Sequence, residues 1–225
     1  MVNGEVMIFQ LIAASVLAYF MGSIPTGLWV GKYVRNIDLR DYGSGNLGAT
    51  NAFRVLGKKL GMLVLLIDVL KGMLPVLLFL PMLGISEPKA SQEMLVGAFA
   101  ITGHVLSCFV NFKGGKGVAT ALGVFLAIAP LEMGIILVLG IIIIAVTGYV
   151  SLASIVGAFL LPIGLFLNNR PTLVLVVGLL ISAMVIIRHR SNIGRLLKGK
   201  ENRFYETNAG PEQEDDINRK LEERS

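Results

Sequence analysis

The sequence predicts an all-α integral membrane protein with seven transmembrane helices, the N-terminus outside and the C-terminus cytoplasmic. Hydrophobic residues make up 54% of the 225 and charged ones only 16%, and mean hydropathy is +0.73, outside the range of a soluble domain. Apolar segments near the roughly 20 residues that a helix needs to cross hydrocarbon recur along the chain. The basic residues fall into groups that a single orientation places on one side.

The first predicted span covers 6–30; it has no basic leader and exceeds the hydrophobic region of a signal peptide, so it stays attached. Lys32, Arg35, Arg40, Arg54, Lys58 and Lys59 follow it. The second span, 60–83, carries Asp68 and Lys71 three apart, a spacing that neutralises two otherwise costly intramembrane charges. Only Lys89 marks the next connection. The third span, 94–110, contains His104 and the lone Cys108, which rules out an internal disulfide; Lys113 and Lys116 follow. Segment 118–130 is apolar but short, a crossing or a re-entrant piece. Spans at 131–149, 152–167 and 171–187 complete the set, and a last basic group runs from Arg188 to Arg203. Counting 118–130 puts all three basic groups on the cytoplasmic side, whereas omitting it puts the last group opposite the others. The net charge of +5 is therefore chiefly a topology signal, with attraction to anionic headgroups second.

Pro75, Pro81, Pro130, Pro162 and Pro171 are expected to kink or cap helices. Residues 1–203 read as one membrane domain and 204–225 as a polar, disordered cytoplasmic tail. No internal repeat is visible, which disfavours a transporter built from two halves.

The connections on the cytoplasmic side are dense in glycine, small polar and basic residues. In the first, Gly43, Gly45 and Gly48 permit positive φ and expose amides, while Ser44, Asn46, Thr50 and Asn51 add short side-chain donors. Such a loop suits an anion, and Arg54, near the start of a possible short helix, matches phosphate oxygens with its planar fork. The residues alone fit equally a flexible turn with a topogenic arginine. The second, FKGGKGVAT at 112–120, repeats the theme: Gly114, Gly115 and Gly117 before a helix can turn amides toward a phosphate, with Lys113 and Lys116 supplying charge. A turn with two snorkelling lysines explains the charge but not the glycines. The third places His189, Asn192 and Arg195 on one face if the last span continues as a helix, able to orient a polyhydroxylated phosphate. His189 is also a candidate base, although no carboxylate lies nearby in sequence; Arg188 and Arg190 read as a basic helix end. His104 is expected to make an interhelical hydrogen bond or brace the lysine loop.

Several chemistries are excluded. Lys116 is followed by Gly117 and position 111 is Asn111, so the second loop is not a nucleotide-binding P-loop. Neither histidine is followed five positions later by aspartate, as His–Asp acyltransferases require: those positions hold Phe109 and Gly194. There is no GxSxG elbow, no HExxH and no paired-aspartate magnesium cluster, so no metal, cofactor or protein nucleophile is expected.

GSIPTG, DYGSGNLGATNAFRVLGKK, IDVLKG, GHVLSCFVNFKGGKGVATALG, GYVSLASI and RHRSNIGRLLKGKENRF, in this order and spacing, cover nearly the whole chain to Phe204. Together they resemble the bacterial acyl-phosphate-dependent glycerol-3-phosphate acyltransferases, the PlsY family. The resemblance implies a seven-helix, multi-pass protein of the bacterial plasma membrane with its active site facing the cytoplasm. It implies acyl transfer from acyl phosphate to the C1 hydroxyl of glycerol 3-phosphate, giving lysophosphatidic acid, the first step of phospholipid synthesis. Partners are then the two substrates, the lipid bilayer and the upstream enzyme supplying acyl phosphate, with no nucleic acid. Carried over by position, Ser44, Arg54, Lys116, His189 and Asn192 are the principal site residues. Lys113 and the loop glycines shape the phosphate pockets. An acyl phosphate is already activated, so the site's main task is to hold two anions together. Two charges about 6 Å apart at an effective dielectric near 20 repel by roughly 3 kcal/mol. A transporter of a phosphorylated anion is the alternative; it expects polar residues at the midplane, and these gather on one side instead.

Overall fold

A computed structural model describes residues 4–204. Among these residues the regular structure is entirely helical. The helices are α1 (Gly4–Ser23), α2 (Thr26–Arg35), α3 (Ala49–Leu56), α4 (Lys58–Met82), α5 (Ala90–Val105), α6 (Val118–Ile128), α7 (Pro130–Thr147), α8 (Val150–Leu167), α9 (Thr172–Arg188) and α10 (Arg190–Leu197). Five stretches are long and apolar enough to cross a membrane: α1, α4, α7, α8, and α5 together with the turn that carries it to Val110. The pair α9 and α10, bent by 56°, makes a sixth candidate, and α6 is a shorter apolar helix.

The first predicted span is not continuous. Pro25 has no N–H to donate, and the helix ends at Ser23 and restarts at Thr26 as an amphipathic segment. The carbonyls freed at the break are recaptured from elsewhere: Ser107 Oγ donates to the Ser23 carbonyl, and Lys71 Nζ donates to that of Ile24 at 2.7 Å. Lys71 also pairs with Asp68 at 2.9 Å, both side chains being buried, so the predicted intrahelical pair exists and additionally pins the break. Pro75 acts as expected, opening α4 into a π-helical turn over Pro75–Phe79. Pro130 and Pro171 stand at helix starts.

The inner helices meet through glycine. A Cβ on Gly22 would stand 2.0 Å from the Ala100 carbonyl oxygen, and one on Gly103 would stand 2.1 Å from that of Tyr19, so α1 and α5 touch backbone to backbone. Gly72 and Gly123 do the same for α4 and α6, at 2.1 and 2.0 Å from the Thr120 and Val69 carbonyls. In lipid no hydrophobic force drives helices together, and such close approach supplies the dispersion contacts that do. The central core is built around Phe125, Val124, Leu165 and Val174, all buried. Phe204, assigned above to the tail, is packed instead: its N–H donates to the Gly148 carbonyl at 2.7 Å and its ring meets Phe53 edge-on. The remaining predicted tail lies outside the described residues.

Candidate active site

One cavity of about 590 Å³ joins the three glycine-rich and basic connections. Ser44, Asn46, Gly48, Thr50, Asn51 and Arg54 line it from the α2–α3 loop and α3. Lys116 and Gly117 line it from the start of α6, and His189, Asn192 and Arg195 from the α9–α10 bend; His104 also reaches it.

Each wall is set by local structure. Asn51 is buried and staples the first loop: its Nδ2 donates to the Leu39 and Tyr42 carbonyls, both at 3.1 Å, and its Oδ1 accepts the Ser44 N–H at 2.9 Å. Asn46 Oδ1 accepts the Gly48 N–H at 2.8 Å, an Asx turn. Gly43 and Gly45 adopt φ of +59° and +67°, which shape the loop without themselves lining the cavity. Arg54 sits in the last turn of α3 rather than near its start, and its Nη2 donates to the Asn202 carbonyl at 3.1 Å.

The lysine loop departs from expectation. The Gly114 and Gly115 amides are not offered to a ligand: they donate to the Val105 and His104 carbonyls at 3.0 and 3.1 Å. A Cβ on Gly115 would stand 2.2 Å from His104 Nε2, so these glycines admit the histidine ring and the end of α5. They line a small separate pocket with Asp68, Lys71 and His104 rather than the large cavity. Arg188, read above as a plain helix end, donates to the Gly114 and Gly115 carbonyls, both at 2.9 Å, and clamps the loop to α9. Lys113 is exposed and outside the cavity lining.

At the centre, Lys116 Nζ donates to Asn192 Oδ1 at 2.5 Å, and Asn192 Nδ2 donates to Glu201 at 2.6 Å. Glu201 also accepts Ser151 Oγ at 2.8 Å and Arg195 Nε at 2.7 Å. Sequence reasoning missed this carboxylate, which stands beside the polar tail; its only signal is the run GKENRF at 199–204, where a single acid sits among basic residues. Burial, the largest influence on Glu201, pushes its carboxyl up, but hydrogen bonds from Asn192, Arg195 and Ser151 outweigh it and the net shift is downward. Burial also pushes the Lys116 ammonium down, to about 8; Glu201 opposes this, and Arg195, Arg188 and Arg54 reinforce it. The chain bends at His189, so Asn192 and Arg195 share a face of α10 while His189 precedes it. His189 Nδ1 lies 2.8 Å from the Val185 carbonyl, which can only accept, so Nδ1 carries the proton and Nε2 the lone pair. Among the described residues no His, Cys, Asp and Glu cluster is placed to hold a metal ion.

The site thus combines Arg54, Lys116 and Arg195 with two buried carboxylates, Glu201 and Asp68, the latter already neutralised by Lys71, which leaves a net positive pole at the mouth of a largely apolar groove. Comparison with known proteins gives this geometry a lineage. The family profile described as glycerol-3-phosphate acyltransferase matches residues 12–199. A glycerol-3-phosphate acyltransferase of Fusobacterium nucleatum subsp. nucleatum is 50% identical over 191 residues, 84% of this chain and 95% of the relative. One from Trichlorobacter lovleyi is 51% identical over 187 residues, 83% of this chain and 94% of the relative. Among solved structures, PlsY (YgiH), an integral membrane glycerol 3-phosphate acyltransferase, in its glycerol 3-phosphate form superposes with a TM-score of 0.79 at 41% identity, covering 86% of this chain and 94% of that one. Its lysophosphatidic acid form gives 0.76 at 40%, covering 88% and 96%. The chain belongs to the PlsY family of integral membrane glycerol-3-phosphate acyltransferases.

Proposed function

We propose that the protein transfers an acyl group from acyl phosphate to the C1 hydroxyl of glycerol 3-phosphate, giving lysophosphatidic acid and inorganic phosphate, the first step of phospholipid synthesis. The observation that carries this reading is the Arg54, Lys116 and Arg195 cluster at one end of a cavity whose remainder is mostly apolar. Two phosphates meet at the cationic end and the acyl chain lies in the groove. Three cations against Glu201 leave the charge that two juxtaposed phosphate groups need, and proximity with charge stabilisation supplies most of the rate. The C1 oxygen attacks the acyl carbonyl carbon, the bond to the phosphate oxygen breaks with its electron pair leaving on phosphate, and a substrate phosphate oxygen takes the hydroxyl proton. An upstream enzyme supplies the acyl phosphate.

The proposed setting is a bacterial plasma membrane crossed seven times, N-terminus outside and site cytoplasmic. Parity supports the count. The Lys116–Asn192 contact requires an even number of crossings between the two residues, and α6, α7, α8 and α9 provide it only when α6 is included.

The decisive assay gives purified protein glycerol 3-phosphate with a long-chain acyl phosphate, acyl-CoA or acyl carrier protein as donor. Lysophosphatidic acid forms from acyl phosphate alone; uptake of glycerol 3-phosphate into vesicles without acylation would instead establish the transporter. The His189 tautomer favours a second reading, with Nε2 as general base. His189→Ala is expected to raise KM for glycerol 3-phosphate and keep kcat within about tenfold of wild type. A kcat loss of about 10²–10⁴ with unchanged binding is what removal of a general base costs, and would transfer the role to His189.

A further inference from the structure

The cavity changes character along its length. Below the cationic end it runs between α4 and α6 on one side and α7 and α8 on the other. Its lining descends from Ile144 to Met133 on α7 and from Val150 to Leu161 on α8, about 16 Å in each case at the α-helical rise. One side is open: Met62, Leu137 and Ile141 are 46%, 38% and 58% exposed on a surface that faces lipid. The far end is closed, with Met133 and Leu161 only 6% and 4% exposed. Directly behind this floor, Glu132 pairs with Arg170 at 2.6 and 2.9 Å. Its side chain lies against Gly164, where a Cβ would meet Glu132 Cγ at 3.4 Å.

A depth of about 16 Å matches half the hydrocarbon thickness of a bilayer, about 15 Å, which is the reach of one membrane acyl chain. We propose that Met133 and Leu161 are the chain-length determinants of the acyl donor: they stop its methyl end, so that full-length membrane acyl chains fit and longer ones do not. This rests on the acyl-transfer reading above. The open side lets the chain enter laterally past Met62 and Ile141. It also means that methylenes short of the floor merely exchange lipid for protein, so shorter chains are penalised little. A chain too long must overpack the floor or displace a buried ion pair.

The test is a series of acyl phosphates lengthening by two carbons from dodecanoyl to docosanoyl, assayed with glycerol 3-phosphate. The readout is the ratio of kcat/KM values within one preparation, which the folded fraction does not affect. Met133→Ala and Leu161→Ala are expected to raise the icosanoyl-to-palmitoyl ratio by about tenfold, the scale of relieved overpacking. Gly140→Leu acts in the opposite direction. A Cβ there meets only Ala153 Cβ, at 3.9 Å, and the added side chain fills the groove part-way down. The palmitoyl-to-dodecanoyl ratio should fall about tenfold. If the floor variants do not fold, Gly140→Leu decides alone. Unchanged ratios in the variants that fold overturn the floor assignment and leave the acyl-transfer reading standing. Failure of the wild type to use any acyl phosphate overturns that reading instead.

Discussion

Replacing Lys116 with alanine is expected to lower kcat/KM for glycerol 3-phosphate by about 10³, near the top of the range for losing one preorganised charge donor. Lys116 is half-buried, its Nζ fixed by Asn192 Oδ1 between the α6 start and the α9–α10 bend. The pH profile provides an independent check. Burial brings its pKa to about 8, and on the proposed function the ammonium, not the amine, is the form that binds phosphate. Because kcat/KM reports the free enzyme, it should fall tenfold per pH unit above about 8, while the limb of kcat lies higher, since bound phosphate stabilises the charged form. Lys116→Arg keeps its charge throughout and should lose activity yet show no alkaline limb. Near-normal transfer by Lys116→Ala, or a limb that persists in Lys116→Arg, would remove Lys116 from the phosphate site.

Why this lysine was legible from sequence, while its surroundings were not, comes down to range. Hydropathy found the spans because bilayer thickness imposes a length on each. It read through Pro25, since a window average does not register a missing N–H, and the donors that repair the break come from Ser107 and Lys71. The loop glycines were legible as a need for absent Cβ atoms but not as its cause. Gly114 and Gly115 are small to admit His104, and their amides are already used within the fold. Arg188 shows the same limit: a guanidinium after a span satisfies the positive-inside rule, and only the tertiary contact distinguishes a clamp on the lysine loop from a topogenic charge. In the sequence, the proposed seven-span count rests on charge, because the short segment that becomes α6 is too brief for hydropathy to decide. The groove was not legible, because its lining comes from five helices, two of them largely lipid-facing, on which apolar residues look alike.

Glu201→Ala is expected to be a strongly damaging substitution outside the direct phosphate contacts, lowering stability by about 1–3 kcal/mol, the cost of leaving the buried Ser151 and Asn192 donors without their acceptor. Ser151, Asn192 and Arg195 converge on this carboxylate from α8 and α10, and it is 7% exposed. Its catalytic effect runs through Asn192. With Nδ2 held by Glu201, the amide must present Oδ1 to Lys116; without that acceptor it is free to turn a donor toward the ammonium. Glu201→Gln separates the two effects. It keeps the side chain's size and one acceptor but places an NH₂ among donors, so it should fold with a lowered Tm and lose about 10² in kcat/KM. The double mutant Glu201→Gln with Arg195→Ala should lose less than the sum of the singles, since the two residues share one contact. The pH dependence has the opposite sign to that of Lys116. The Glu201 carboxyl is lowered in the folded state, so its contribution is complete above the ordinary glutamate value and is lost as pH falls through the lowered one. The Glu201 contribution to thermal stability should therefore fall away in acid, and Glu201→Gln should flatten that limb. Wild-type Tm and turnover in Glu201→Gln would show that the Lys116–Asn192 pair orients itself.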